Sequence, residues 1–388
     1  MKRCISFLVI CCFYIIAYSQ TSSIIVGAEC TNEYFPLLKN KRIAVFSNHT
    51  GMIGKEHLVD RLHRNGFNLV LILSPEHGFR GNADAGEHVE NSVDEKTGIP
   101  IYSLYQGKSG KPSDDIMNSF DLLIVDIQDV GLRFYTYYAS MVRLMDACAE
   151  FNKKVLILDR PNPNGHYVDG PILDMKYKSG VGWLPIPIVH GMTLGELAMM
   201  VNGEKWLTAS RICDVTVIKC KNYTHHTLYN LPISPSPNLP NMKSIYLYPS
   251  VCLFEATPVS LGRGTSLPFQ VYGHPNMLGY TFNFMPKSVV GAKNPPQQNK
   301  VCYGINLSNM ADSIIWKNGV DLSYLIDAYN NLNIGDHFFR PFFELLIGKD
   351  YVRRMIEDGK SAKEIKEMWK SDVGNFKKQR KPYLLYSE

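Results

Sequence analysis

The sequence predicts an α/β fold. A Rossmann-like, mostly parallel sheet lobe spans residues 20–210, and a smaller C-terminal α+β lobe spans residues 211–388. Three observations predict this. Short Val/Ile/Leu runs at 42–48, 68–73, 121–126 and 154–159 are apolar throughout instead of alternating, as in strands buried on both faces. Helical spacing fills the gaps: Leu58, Val59 and Leu62 share one face of 55–65 before the stop at Gly66, and 138–151 is amphipathic. After Trp206 the texture changes, with Pro232, Pro235, Pro237, Pro240 and Pro249 suiting extended loops.

The remaining elements follow in order. Thr193 and Glu196 make a capping box that opens a helix. Residues 245–253 and 300–307 read as strands, and 286–298 as a surface loop. Residues 321–331, 338–347 and 361–371 read as helices, the last capped by Ser361 with Glu364.

The chain has 388 residues, more than one compact domain usually needs, and 45% hydrophobic content excludes a disordered chain. Lys+Arg 41 against Asp+Glu 36 gives +5, too weak a bias for a nucleic-acid partner. Residues 1–19 read as a cleavable signal peptide. Lys2 and Arg3 precede an apolar run from Ile5 to Ala17, and Ala17-Tyr18-Ser19 supplies small residues before Gln20. The run is shorter than the roughly 20 residues a spanning helix needs. Export to the periplasm or the extracellular space follows, with a lipoprotein less favoured because Ile10 and Cys11 stand where small residues belong before Cys11 and Cys12. Of the six cysteines left, Cys148 and Cys252 read as buried thiols, whereas Cys213 and Cys220 flank a strand and could pair.

Ligands of open parallel sheets bind beyond the carboxyl ends of the strands. Four such ends carry chemistry. They hold Asn48 and His49; Glu76, His77 and Arg80; Asp126, Gln128, Asp129, Arg133 and Tyr135; and Asp159, Arg160 and Asn162. In the second lobe, Glu255 and the glycine-flanked Arg263 form a further dense segment. A buried Glu76 beside His77 suits a proton donor, and its alternative is a cap or a pair with Arg80. Asp126 and Asp159 suit catalysis or the holding of loop amides, Asp129 and Arg133 a plain ion pair, and Glu255 with Arg263 either a site or a turn brace. Tyr135 and its aromatic neighbours suit stacking on sugar faces or core filling. The first strand–turn–helix lacks GxGxxG, and no GxxxxGK[ST] occurs, so no nucleotide cofactor is expected. No metal site is expected either. A metal-dependent hydrolase built on His77, Asp84, His88 and Asp126 would need a spacing such as HExxH, which is absent.

PEHGFRG (75–81), DIQDVGLRFYTY (126–137), LDRPNPNG (158–165), VHGMTLGELAMM (189–200) and FEATPVSLGRGT (254–265) together resemble the exo-β-N-acetylmuramidases of glycoside hydrolase family 171, across roughly residues 25–388. Ala256 stands where the family's motif usually has Gly. The resemblance implies a cleft between the lobes and release of N-acetylmuramic acid from non-reducing ends of peptidoglycan fragments, without a nucleotide. Muramyl glycans are then the expected partners. Glycoside hydrolysis generally uses two carboxyl groups. Glu76 is the expected general acid, with Glu255, Asp126 or Asp159 as its partner and Glu255 ranked first. Asn48, His77, Arg80, Gln128, Arg133, Tyr135, Arg160, Asn162 and Arg263 are the expected substrate contacts, with Arg263 the chosen reader of the lactyl carboxylate. A non-catalytic muramyl-glycan-binding protein is the other alternative.

Overall fold

A computed structural model describes residues 23–75, 78–79, 91–104 and 111–388. Glu76, His77, Arg80, Asp84 and His88 lie outside the described residues. The first lobe is built on a seven-stranded sheet. In chain order its strands are β1 (Ile43–Ser47), then β4 (Leu69–Ser74), β5 (Ser92–Val93), β6 (Pro100–Ser103), β7 (Leu122–Asp126), β8 (Lys154–Leu158) and β9 (Asp214–Ile218). A small hairpin of β2 (Met52–Ile53) and β3 (Glu56–His57) follows β1. The spatial order is β5-β6-β4-β1-β7-β8-β9, with only the short edge strand β5 antiparallel. From β1 the chain winds one way through β4 and β6, then returns to β7 and winds the other way. The order therefore reverses between β1 and β7, where Ser47 pairs with Asp126. β9 carries the sheet past the boundary read at residue 210.

The apolar runs form strands because both faces are covered. Ala44, Phe46, Leu123, Val125, Val155 and Ile157 face α4 (Tyr137–Glu150) and α5 (Leu194–Gly203). That core runs on without a break into the second lobe, to Phe254, Phe343 and Trp369. Ile43, Val45, Ile72, Ile124 and Leu158 face α1 (Thr31–Leu38) and α2 (Leu58–Arg64).

The second lobe begins with α6 (Met242–Val251), where a strand was expected at 245–253. Residues 244–251 are all buried, so no face stands out in the pattern. The helix is nucleated by Asn241, whose side chain accepts the Ser244 amide at 2.9 Å. Beyond it lies a three-stranded antiparallel sheet, β10 (Val271–His274), β12 (Cys302–Asn306) and β11 (Phe282–Phe284), in that spatial order. It is followed by helices that include α7 (Asp312–Asn318), α8 (Ser323–Leu332), α9 (Phe342–Ile347), α10 (Tyr351–Glu357) and α11 (Ala362–Arg380). Among the described residues, no helix is long and apolar enough to cross a membrane.

The six cysteines are free and buried, so Cys213 and Cys220 do not pair. β9 separates them, and its five residues span roughly 16 Å, whereas a disulfide needs Cα atoms within about 7 Å. The Cys220 thiol instead donates to the Asp159 carbonyl at 3.2 Å.

Candidate active site

The carboxyl edge of the sheet is assembled from side chains that hold loops. At the end of β1, the buried Asn48 accepts the Thr50 amide and hydroxyl at 3.0 and 2.6 Å and donates to the Tyr137 hydroxyl at 2.9 Å. The Thr50 hydroxyl in turn accepts the Gln128 amide at 3.0 Å, which ties the β1 end to the β7 end. The Gln128 side chain donates to the carbonyls of Asp129 and Pro161, both at 2.8 Å. Asn162 donates to the Met192 carbonyl at 2.9 Å. Its side chain would meet any Cβ at Gly131 at 2.2 Å, and Gly131 also has φ +75°, so two demands fix glycine there.

The two rim aspartates differ in what engages them. Asp126, with no exposed surface, accepts Arg160 Nε at 2.6 Å and Nη2 at 3.0 Å, a bidentate buried ion pair. Asp159 accepts the hydroxyls of Thr193 and Tyr386, both at 2.7 Å, and the Gly195 amide at 2.9 Å. Burial pushes its pKa up to about 6, against the pull of those donors. Asp159 is thus an anchor for the α5 N-terminus and the C-terminal tail, and of its two expected roles these contacts serve the holding of loop amides. Glu196, in the 189–200 motif, does the same work. It is wholly buried and accepts His225 Nε2 at 2.9 Å and the Leu385 amide at 2.8 Å.

Asp129 and Arg133 do not pair. Asp129 accepts the Gly131 amide at 2.7 Å, and its other oxygen is buried without a partner. Burial raises its pKa to about 7. Arg133 is fully buried and donates to four carbonyls, those of Pro171, Ile186, Leu346 and Ile347, at 2.7–2.9 Å. Burial lowers its pKa to about 10, so it stays protonated. It bolts α9 to the first lobe and presents no side to a cleft, a correction to its place among the substrate contacts. Tyr135 is also mostly buried and donates to the Pro235 carbonyl at 2.9 Å. It holds the segment that crosses from one lobe to the other, and His49 Nε2 holds the same segment at the Ser234 carbonyl, 2.8 Å away.

On the second lobe, Glu255 and Arg263 form an ion pair at 2.5 Å with side chains 25% and 19% exposed. The Arg263 guanidinium lies over the Phe269 ring, 5.0 Å from its centre. Glu255 is therefore the one expected partner carboxylate, among the described residues, that solvent still reaches.

A cavity of about 320 Å³ opens at the ends of β1, β7 and β8. Val26, Met52 and Ile233 give it apolar walls, and Glu29, Gln128 and Arg160 give it polar ones. The β2–β3 hairpin stands between β1 and α2, where dinucleotide-binding sheets place a glycine-rich turn and a helix N-terminus. Among the described residues, no three His, Cys, Asp or Glu side chains gather as a metal would require.

Comparison with known proteins then decides the family. The model for exo-beta-N-acetylmuramidase NamZ, N-terminal, matches residues 43–243, and its C-terminal counterpart matches residues 246–386. The chain belongs to the NamZ exo-β-N-acetylmuramidase family. It is 37% identical over 379 residues to the peptidoglycan beta-N-acetylmuramidase NamZ of Bacillus subtilis (strain 168), covering 91% of this chain and 89% of that one. Two crystal structures of DUF1343 family proteins from Bacteroides fragilis NCTC 9343 share the fold. One is 72% identical with a TM-score of 0.89, covering 95% of this chain and 100% of that chain. The other is 29% identical with a TM-score of 0.79, covering 94% and 99%.

Membership makes the chain an exo-acting glycosidase of peptidoglycan-derived muramyl fragments. The metal-dependent alternative finds no support among the described residues. The family's motifs divide by role in this structure. The 189–200 motif clasps the C-terminus, the 126–137 and 158–165 motifs knit the strand ends, and 254–265 carries the solvent-reachable acid. Sequence reasoning missed Glu29, which precedes the first strand in a short 3₁₀ turn and lines the cavity. Its one legible signal is the chain order Gly27-Ala28-Glu29 just before a helix.

Proposed function

We propose that the chain is exported and removes single N-acetylmuramic acid units from non-reducing ends, with Glu76 as the general acid and Glu255 as the second carboxyl group. The observation that supports this choice is the engagement of the alternatives. Asp126 is held by Arg160 and Asp159 by three donors, whereas Glu255 keeps a solvent-facing edge beside a single cation. Glu76 follows the last residue of β4 by two positions, and β4 neighbours β1 at the switch in strand order. A protonated carboxyl can deliver its proton to the departing glycosidic oxygen as the bond breaks, and the second carboxylate stabilises or captures the positive charge left on the sugar.

The test is Glu76→Gln, an almost isosteric change that removes the acid. On a chromogenic N-acetylmuramide, kcat should fall on the order of 10²–10⁴-fold while the melting temperature stays put. A variant that keeps more than about a tenth of the wild-type kcat assigns Glu76 to structure. Glu255→Gln should lose a comparable factor in kcat.

A further inference from the structure

The muramyl sugar differs from N-acetylglucosamine by a lactyl ether on O3, and its free acid is a carboxylate at neutral pH. The rim motifs hold three arginines among the described residues, and the structure engages them differently. Arg133 has both Nη atoms on carbonyls. Arg263 braces Glu255. Arg160 gives Nε and Nη2 to Asp126, and Nη2 also to the Met52 carbonyl at 3.0 Å. Its Nη1 has no hydrogen-bond partner among the described residues, although the residue is only 8% exposed and lines the cavity at the strand ends.

Tyr229 lines the same cavity, and its hydroxyl also has no hydrogen-bond partner among the described residues. Burial raises its pKa, with the nearby Arg160 pulling the other way, so the phenol remains a donor at neutral pH. The Arg160 donor is fixed in place. Asp126 locks the Arg160 fork from behind. Tyr229 belongs to the crossing segment that His49 and Tyr135 hold at Ser234 and Pro235.

We propose that this cavity is the subsite for the lactyl group, with Arg160 Nη1 and the Tyr229 hydroxyl donating to its carboxylate. The assignment rests on the muramidase activity described above. Val26, Met52 and Ile233 offer the lactyl methyl an apolar wall. Asp126 cancels much of the Arg160 charge, so what Arg160 supplies is a pre-positioned pair of N–H bonds more than a net field. Glu29 is the opposing group. It is exposed at the cavity and accepts the Val26 amide at 2.9 Å, and water screens its repulsion of a bound anion.

The experiment compares kcat/KM for a chromogenic N-acetylmuramide and for its lactyl methyl ester, which carries the same leaving group. Wild type should prefer the free acid by on the order of 10–100-fold, the usual worth of hydrogen bonds to a charged group. Tyr229→Phe should lose roughly 5–10-fold on the acid and stay within about twofold on the ester. Arg160→Lys keeps a cation for Asp126 and should bring the acid-to-ester ratio within about threefold of unity. Should that variant fail to fold, Glu29→Gln still tests the subsite. It preserves an acceptor for Val26 and should raise the ratio about two- to fivefold. Equal wild-type rates on acid and ester, or a ratio that neither Tyr229→Phe nor Glu29→Gln moves, overturns the subsite. If wild type turns over neither compound, the muramidase reading fails separately. The Kd values of N-acetylmuramic acid and its methyl ester, measured by calorimetry on wild type and Tyr229→Phe, then decide the subsite by the same ratios.

Discussion

Asp129→Asn should make the protein more stable at pH 8 than the native chain and leave it within about 1 kcal/mol of that chain at pH 4.5. Burial raises the Asp129 pKa from the ordinary 3.8 to about 7. Below roughly pH 4 the carboxyl is protonated in both the folded and the unfolded chain. Between about 4 and 7 the folded chain keeps a proton that the unfolded chain has released, so stability falls as pH rises, and it levels off above 7. Three units at about 1.4 kcal/mol each give a loss on the order of 4 kcal/mol. Asparagine resembles the protonated acid. Its oxygen can still accept the Gly131 amide, and its NH₂ replaces an oxygen that has no partner now. The variant therefore escapes the pH-dependent loss. The assay is denaturant unfolding of both proteins from pH 4.5 to 8.5. The stability difference should grow by about 3 kcal/mol in favour of the variant across that range. A difference that stays flat with pH, or native protein that gains on the variant as pH rises, would refute the reasoning and show that ionised Asp129 is well accommodated.

The other expectations follow from the same geometry. Arg133→Met should destabilise by on the order of 3–5 kcal/mol in denaturant unfolding, because four buried carbonyls lose their donor, while the acid-to-ester preference of the folded enzyme stays at its native value. Arg263→Ala should lower kcat/KM by the same factor on the muramide and on its ester, since its partner is Glu255 and not the lactyl group. The thiols of the native protein should resist a thiol-reactive dye until it unfolds, and a reductant should leave the melting temperature unmoved, since all six in the described chain are free and buried. Protein isolated from its host should begin at or near Gln20 on N-terminal sequencing.

The sheet was legible because β1, β4, β7 and β8 are buried on both faces, and burial on both faces writes itself as an unbroken apolar run. The same rule misread α6. Its residues are buried all round, so no helical period survives, and Pro249 argued for an extended chain. The informative signal was Asn241 three places before Ser244, a cap that the apolar run obscured. At the rim, residue types marked where polar chemistry gathers but not what each group touches. Arg133 and Arg160 look alike in sequence. One meets carbonyls at Leu346 and Ile347, more than 200 residues away, and the other meets a carboxylate at Asp126 and a cavity. Such partners follow from how the lobes pack, which spacing alone does not encode. Tyr229 and Glu29 were invisible for the same reason, since each reaches the rim from outside the strand ends.

The central claim is exo-acting release of the muramyl unit, and the most direct measurement is product analysis on a defined glycan. The purified chain beginning at Gln20 is incubated with a peptide-free tetrasaccharide of alternating N-acetylmuramic acid and N-acetylglucosamine, muramyl unit at the non-reducing end. Free N-acetylmuramic acid and the trisaccharide should appear first and together, and a tetrasaccharide with N-acetylglucosamine at the non-reducing end should be left intact. Early release of disaccharides, or attack on the second glycan, would contradict that claim.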